Sequence, residues 1–162
     1  MRGDMAEVVR GILAETGVDG ALLELELSER GVLRSDPHIV RQLNEIKALG
    51  VRLSLDDFGT GNSAIAYLKR FPLDALKIDR SYVAGVAKCS DDAAIAAATI
   101  AMAQHLQLEV VAEGVEEHDQ LEFLLRCGCD AYQGFPFSPA IPAEEFGLLL
   151  KNPPSPDASP GA

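Results

Sequence analysis

The chain has 162 residues, of which 48% are hydrophobic and 24% are charged, a composition typical of one globular domain. Its formal net charge of −11 argues against binding to a DNA or RNA polymer, because such binding needs a basic surface. No apolar run is long enough to span a bilayer, and the first residues lack the apolar core of a signal peptide.

Helices and strands are predicted to alternate along the chain. Helix patterns cover residues 5–15, 37–49, 63–70, 92–106, 117–127 and 142–150. Short apolar strand patterns cover residues 22–27, 51–56, 75–79, 109–112 and 130–133. This alternation predicts an α/β fold with about five parallel strands and right-handed crossovers, and no sequence repeat is apparent beyond it. Residues 152–160 are rich in proline and serine, so we expect a disordered tail from 151 to 162.

Cysteine and histidine do not predict a metal centre in this chain. Cys89, Cys127 and Cys129 are odd in number and lack Cys-x-x-Cys spacing, which indicates free thiols in a reducing cytoplasm. The three histidines lie far apart in the sequence. We therefore expect a cytoplasmic segment, with any membrane tether of a parent protein lying outside it.

Residue parity along the strands predicts a sheet with one apolar face and one charged face, because successive side chains point to opposite sides. The expected apolar face consists of Leu23, Leu25, Leu27, Leu53, Leu55, Leu76, Ile78 and Val110. In a (β/α)8 barrel the charged face lines the lumen, where Glu24, Arg52 and Glu109 are expected to pair near the amino ends of the strands. Four further polar residues fall near the carboxyl ends of the strands, where such barrels keep their active sites: Glu26, Asp56, Lys77 and Glu113.

An adjacent pair of carboxylates, Asp56 and Asp57, lies where an apolar strand runs into a glycine-rich segment. Neighbouring carboxylates repel unless a cation lies between them, and oxygen ligands without His or Cys favour Mg²⁺ or Mn²⁺ over zinc. Two such ions suit in-line displacement at phosphorus, so metal-dependent phosphodiester hydrolysis is the predicted class of reaction. An isolated Asp-Asp pair is more typical of a surface turn, and the other charged strand ends favour the metal site.

Five motifs in this order resemble the EAL-domain family of bacterial cyclic di-GMP phosphodiesterases, whose fold is a modified TIM barrel. They span roughly residues 7 to 150 and comprise Glu26-Leu27-Ser28-Glu29, the Asp56–Gly61 loop with the following Tyr67–Pro72, Leu76–Ser81, Val111–Glu116 and Gln133-Gly134-Phe135. The resemblance implies a partial EAL barrel over residues 1–150 and Mg²⁺- or Mn²⁺-dependent hydrolysis of cyclic di-GMP to pGpG. A homodimer is also an expectation of the family.

The resemblance also implies roles for individual residues. The matching metal ligands are Glu26, Asp56, Asp57 and Glu113, with Asp56 between two ions. Lys77 matches the lysine beside the attacking water, and Gln133 matches a glutamine that positions water or metal. Asp79 matches an acidic residue of the same cluster, and Glu29 matches a glutamate that holds the loop after Asp57. Helix capping or loop anchoring is an equally good interpretation of Asp79 and Glu29.

Two ligand-bearing strands of the family have no counterpart in this sequence. The Glu-Ala-Leu strand and the strand that carries a ligand Asn are both absent, and a full barrel needs about 250 residues. We therefore expect an incomplete metal site and little or no turnover by residues 1–162 alone, and a longer coding region is one explanation. The alternatives to a hydrolase are a module that binds cyclic di-GMP or a protein without cleavage, and a non-functional remnant.

Overall fold

The computed structural model describes residues 4–28, 37–58, 68–135 and 138–151. Its strands are β1 (Glu24–Ser28), β2 (Arg52–Phe58), β3 (Ala75–Ile78), β4 (Glu109–Val115) and β5 (Ala131–Gly134). Its helices are α1 (Met5–Thr16), α2 (Pro37–Lys47), α3 (Arg80–Gly85), α4 (Ser90–His105), α5 (His118–Cys127) and α6 (Ala143–Lys151), with a 3-10 turn at Gly20–Leu22. Glu29, most of the predicted 63–70 helix and the tail from 152 lie outside the described residues.

The five strands form one parallel sheet in the order β1-β2-β3-β4-β5, which confirms the predicted fold class. Each strand pairs with the next one along the chain, and described helices lie between β1 and β2, between β3 and β4 and between β4 and β5, as crossovers between parallel strands. All carboxyl ends of the strands therefore lie at one end of the sheet. Within the described residues, no helix combines the length and apolarity that crossing a membrane demands.

The core lies between the helices and the apolar face of the sheet. Leu53, Leu55, Leu76, Ile78 and Val110 are fully buried, as the strand parity predicts. Helices α1, α2, α4 and α5 add buried or partly buried apolar side chains to the same cluster. The opposite face carries the charged side chains, so the sheet has the two-sided character expected of a barrel wall whose polar side faces the lumen.

Helix boundaries follow from local chemistry. The Asp4 carboxylate accepts hydrogen bonds from the backbone N–H groups of Ala6 and Glu7, and α1 ends at Gly17 in the left-handed conformation. Helix α3, which the sequence did not predict, begins after Asp79, whose side chain accepts from the N–H of Ser81. Because Asp79 directly follows β3, the helix begins immediately after the strand.

One backbone pattern occurs twice in the sheet, in the pair β2–β3 and again in the pair β4–β5. In the first pair the side chain of Asp74 accepts from the N–H of Leu53 at 2.8 Å, and in the second Asp130 accepts from Val110 at 2.8 Å. Each aspartate also donates its own N–H to the carbonyl of the same partner. The two hydrogen bonds fix the register of each pair at its amino end.

Each of these pairs also contains a bulge near its carboxyl end. Between Leu55 and Phe58 the first strand has one residue more than its partner, and the second pair has the same irregularity between Glu113 and Val115. Asp57 (φ 59°) and Gly114 (φ 68°) take the left-handed conformation at these points. The register therefore makes Asp56 of the first pair equivalent to Glu113 of the second.

Candidate active site

Lys77 joins two glutamates at the carboxyl end of the sheet. Its Nζ donates to Glu26 Oε1 at 2.5 Å and also contacts Glu113 Oε1. The Lys77 side chain is 7% exposed, whereas that of Glu26 is 52% exposed, so the cluster opens to solvent on the β1 side. Three sequence-predicted site residues from β1, β3 and β4 are thus in contact. We call Glu26, Lys77 and Glu113 the upper cluster.

Burial lowers the pKa of the Lys77 ammonium, but the hydrogen bonds and charges of Glu113 and Glu26 outweigh it and raise the pKa above its usual value. Lys77 is therefore a cation at neutral pH. Its single positive charge holds the carboxylates of Glu26 and Glu113, which would otherwise repel each other.

A second cluster of the same composition lies toward the amino ends of the strands. Arg52 donates to Glu24 Oε2 at 3.2 Å and to Glu109 Oε2, which confirms the predicted pairing of these three residues. The two glutamates raise the pKa of the Arg52 guanidinium. The intervening strand presents Ala75, whose small side chain leaves the arginine room to reach β4. We call Glu24, Arg52 and Glu109 the lower cluster.

The β2 bulge allows two adjacent aspartates to lie at the same strand end. In a regular strand Asp56 and Asp57 would point to opposite faces, but the extra residue and the left-handed φ of Asp57 break that alternation. Aspartate tolerates this conformation better than most side chains. The N–H of Asp57 donates to Asp56 Oδ1 at 2.8 Å, which fixes one carboxylate oxygen. Register places both residues beside Lys77.

Asp79 has two sets of interactions. Its carboxylate caps α3 by accepting from the N–H of Ser81 at 2.9 Å, and it also accepts from the Ser81 hydroxyl. Burial raises the pKa of this carboxyl, but the Ser81 hydrogen bonds, the Arg80 charge and a side-chain hydrogen bond with Asp57 lower it below its usual value. The capping interpretation is supported, and the contact with Asp57 also links Asp79 to the Asp56–Asp57 pair.

Gln133 lies on β5 directly opposite Glu113 in the parallel register. Its side chain is exposed at the rim of the polar face. The repeated backbone pattern makes Gln133 the equivalent of Lys77 in the other strand pair. The sequence does not reveal this correspondence, because it depends on the Asp74 and Asp130 hydrogen bonds between strands, and Asp74 lies outside the predicted strands whereas Asp130 lies within one.

The donor chemistry of these residues fits a hard divalent cation. Carboxylate oxygens are the ligands that Mg²⁺ and Mn²⁺ prefer, and the Lys77 ammonium already fills a cation's place between two of them. In the described part of the chain, however, no three acidic, cysteine or histidine side chains lie close enough together to hold a metal ion. The predicted ligand residues are present, but Lys77 lies between two of them, Glu26 and Glu113.

Comparison with known proteins gives one consistent match. The sequence profile of the EAL domain matches residues 1–140. The chain is 45% identical over 148 residues to the cyclic di-GMP phosphodiesterase NbdA of Pseudomonas aeruginosa. The aligned residues make up 90% of this chain and 19% of NbdA. The chain thus spans about a fifth of the length of this curated relative.

Solved structures give the same result. The phosphodiesterase MucR of P. aeruginosa in complex with c-di-GMP has a TM-score of 0.84 and 41% identity, over 90% of this chain and 59% of that one. A manganese and c-di-GMP complex of BlrP1 from Klebsiella pneumoniae has a TM-score of 0.78 and 29% identity, over 85% of this chain and 35% of that one.

Proposed function

The chain belongs to the EAL-domain family, and on this premise we propose that it forms part of a metal-dependent cyclic di-GMP phosphodiesterase domain acting in the cytoplasm. The reaction is hydrolysis of one phosphodiester bond of cyclic di-GMP to give linear pGpG. The observation that carries the proposal is the upper cluster beside the Asp56–Asp57 bulge, at the end of the sheet where barrels of this type bind substrate.

In this proposal the four carboxylates of Glu26, Asp56, Asp57 and Glu113 hold Mg²⁺ or Mn²⁺. When bound, the ions supply an activated water and neutralise the charge that develops on the phosphate. The bulge brings Asp56 and Asp57 to the same strand end, where both carboxylates would be available to the ions. The ammonium of Lys77 orients the attacking water.

Three further residues complete the proposed site. Gln133 faces Glu113 across the β4–β5 register and is proposed to position the water or an ion from that side. Asp79 caps α3 close to Asp57 and is proposed to help position that carboxylate. Glu29, which lies outside the described residues, is proposed to hold the loop after Asp57.

We propose that the 162-residue polypeptide on its own turns over cyclic di-GMP slowly. It spans 59% of the matched MucR structure, and Glu26 is half-exposed on β1, at one edge of the described sheet. Water around an open site screens the charges that a closed barrel would concentrate on the phosphate. Fast, magnesium-dependent release of pGpG by this polypeptide would contradict the proposal of slow turnover.

The proposed reaction is tested with the protein in excess over cyclic di-GMP, Mg²⁺ or Mn²⁺ present, and chromatographic separation of pGpG. We expect slow formation of pGpG that stops when EDTA removes the metal. Glu26→Gln is expected to abolish it, whereas Glu24→Gln, on the same strand and face but in the lower cluster, is expected to retain it. Equal rates for the two variants would overturn the assignment of the upper cluster.

A cyclic di-GMP-binding module without hydrolysis is the second candidate. It is favoured by the Lys77 ammonium between Glu26 and Glu113 and by the lack of a three-ligand group in the described residues. Calorimetry that shows cyclic di-GMP binding, together with no pGpG after prolonged incubation with metal, would favour the module over the hydrolase. Absence of both binding and pGpG would exclude both functions for this polypeptide.

A further inference from the structure

We propose that the ammonium of Lys77 acts as an exchangeable internal cation. It holds Glu26 and Glu113 in place without metal, and a divalent ion must displace it from both carboxylates to bind. This inference rests on the proposed function, because it concerns the same metal site. It adds that the apparent metal affinity is set by competition with a residue of the chain itself.

The contacts of Lys77 span strands that do not touch each other. Glu26 belongs to β1 and Glu113 to β4, and β2 and β3 lie between them in the sheet. Lys77 on β3 reaches both carboxylates, so one charge fixes two glutamates from non-adjacent strands. Without that charge the two carboxylates would repel each other, a repulsion that a bound divalent ion would relieve. The lysine therefore keeps both proposed ligands facing the lumen.

The lower cluster holds the same arrangement of charges with a different cation. There the bridging cation is Arg52, whose planar guanidinium donates to Glu24 and Glu109 in a fixed geometry. The upper cluster uses an ammonium, a compact point charge on a flexible stem that can withdraw from its partners. On the same face of the sheet, the guanidinium of Arg52 thus suits a structural bridge, and the ammonium of Lys77 suits an exchangeable one.

Charge and access favour the exchange. Two glutamates share one positive charge in the upper cluster, so a net negative charge remains beside Asp56 and Asp57. A divalent ion would neutralise this charge more completely than an ammonium. The half-exposed Glu26 is the side from which a hydrated ion can enter and take the first carboxylate from Lys77.

Nuclear magnetic resonance of the lysine ammonium groups tests the exchange directly in the unmodified chain. The sequence has five lysines, and Lys47 provides an internal reference because it pairs with Asp74 at 2.7 Å, at the amino end of the sheet. As Mg²⁺ is added, we expect the Lys77 signal to shift or disappear while the Lys47 signal stays. An unmoved Lys77 signal at Mg²⁺ concentrations that saturate binding by calorimetry would overturn the inference.

Calorimetric Mg²⁺ titration of Lys77→Met supplies the second measurement. Methionine keeps the buried hydrocarbon stem and removes the competing charge, so the dissociation constant should fall about tenfold if two partly exposed ion pairs are lost. Lys47→Met is the matched control, since it removes a paired lysine elsewhere and should leave the constant unchanged. Equal constants for wild type and Lys77→Met would contradict the competition.

Lys77→Arg keeps the charge and is available if the methionine variant does not fold. The guanidinium can bind carboxylates more firmly than an ammonium, so we expect weaker Mg²⁺ binding than in wild type. Unchanged or tighter binding would count against the exchange. If wild type and variants alike bind no Mg²⁺ and no Mn²⁺, the proposed metal dependence itself is wrong; binding that is indifferent to position 77 contradicts only the exchange.

Discussion

Replacement of Asp74 by alanine tests how the amino end of the sheet is held together. Both carboxylate oxygens accept from the Nζ of Lys47 at 2.7 Å, and Oδ2 also accepts from the N–H of Leu53 at 2.8 Å. Leu53 is fully buried, so its N–H loses its partner in a buried position when the carboxylate is removed. The variant therefore breaks an ion pair and leaves a buried donor unsatisfied.

The two losses differ in size. The side chains of Lys47 and Asp74 are 28% and 27% exposed, so solvent screening limits their ion pair to roughly 0–1 kcal/mol. A buried N–H without a partner costs about 1–3 kcal/mol. We expect Asp74→Ala to lower the free energy of unfolding by roughly 2–3 kcal/mol, with most of the loss coming from the N–H of Leu53.

Urea unfolding at neutral pH measures the loss, and two controls separate its parts. Lys47→Met removes only the ion pair and should cost about 1 kcal/mol or less. Asp130→Ala removes the equivalent hydrogen bond to Val110 in the other strand pair, where the carboxylate has no lysine partner among the described residues. Equal losses for Asp74→Ala and Lys47→Met would refute the reasoning, because they would mean that the buried N–H contributes nothing.

The same carboxylate predicts a pH dependence. Burial raises the pKa of Asp74, but Lys47 and the N–H of Leu53 outweigh it and hold the pKa below its ordinary value of 3.8. A lowered folded-state pKa gives stability that is present above the unfolded value and is lost as pH falls through the folded value. The difference in melting temperature between wild type and Asp74→Asn should therefore hold from pH 7 to about 4 and shrink below it. A difference that grows in acid would contradict the assignment.

Further predictions concern backbone packing and thiol chemistry. A Cβ on Gly134 would lie 1.8 Å from the carbonyl oxygen of Val115, so Gly134→Ala should destabilise the fold by roughly 3 kcal/mol in urea unfolding, and a loss under 1 kcal/mol would contradict the contact. Gly11→Ala, in α1 with no atom within 4 Å, is its control and should stabilise by up to about 1 kcal/mol. Burial raises the pKa of the Cys129 thiol to about 11, whereas Cys89 is exposed. A disulfide reagent at pH 8 should therefore modify Cys89 first, and Cys129 at a comparable rate only after unfolding; fast reaction of Cys129 in the native state would refute its burial.

Strand parity was enough to predict both faces of the sheet and the lower cluster, because an alternation of two residues is read directly from the sequence. It failed at the bulges. The sequence predicts strands ending at 56 and 112, whereas β2 continues to Phe58 and β4 to Val115. Asp57 and Gly114 lie beyond the predicted strand ends, and only the pairing with β3 and β5 shows that they are extra residues within β2 and β4.

The sequence predicts which residues form the upper cluster, but not which of them contact each other. Glu26, Lys77 and Glu113 were each expected at a strand end, yet nothing in the sequence states that one lysine spans β1 to β4. That contact depends on the arrangement of four strands in space. Helix α3 was missed for a different reason, since six residues are too few for a periodic pattern, although helix capping is one of the two interpretations given for Asp79.

The hydrogen bonds of Asp74 and Asp130 and the left-handed residues Asp57 and Gly114 hold the strands in place. Apart from Asp57, the residues proposed to act in the reaction are different ones. In the pairs β2–β3 and β4–β5 the register is fixed by the hydrogen bonds of Asp74 and Asp130 and by local backbone conformation rather than by Asp56, Lys77 or Glu113. Mutational drift at those three positions can therefore remove chemistry while it leaves the framework intact. For proteins of this architecture, we therefore expect shape alone to be a poor guide to activity, because activity depends on the identity of a few side chains.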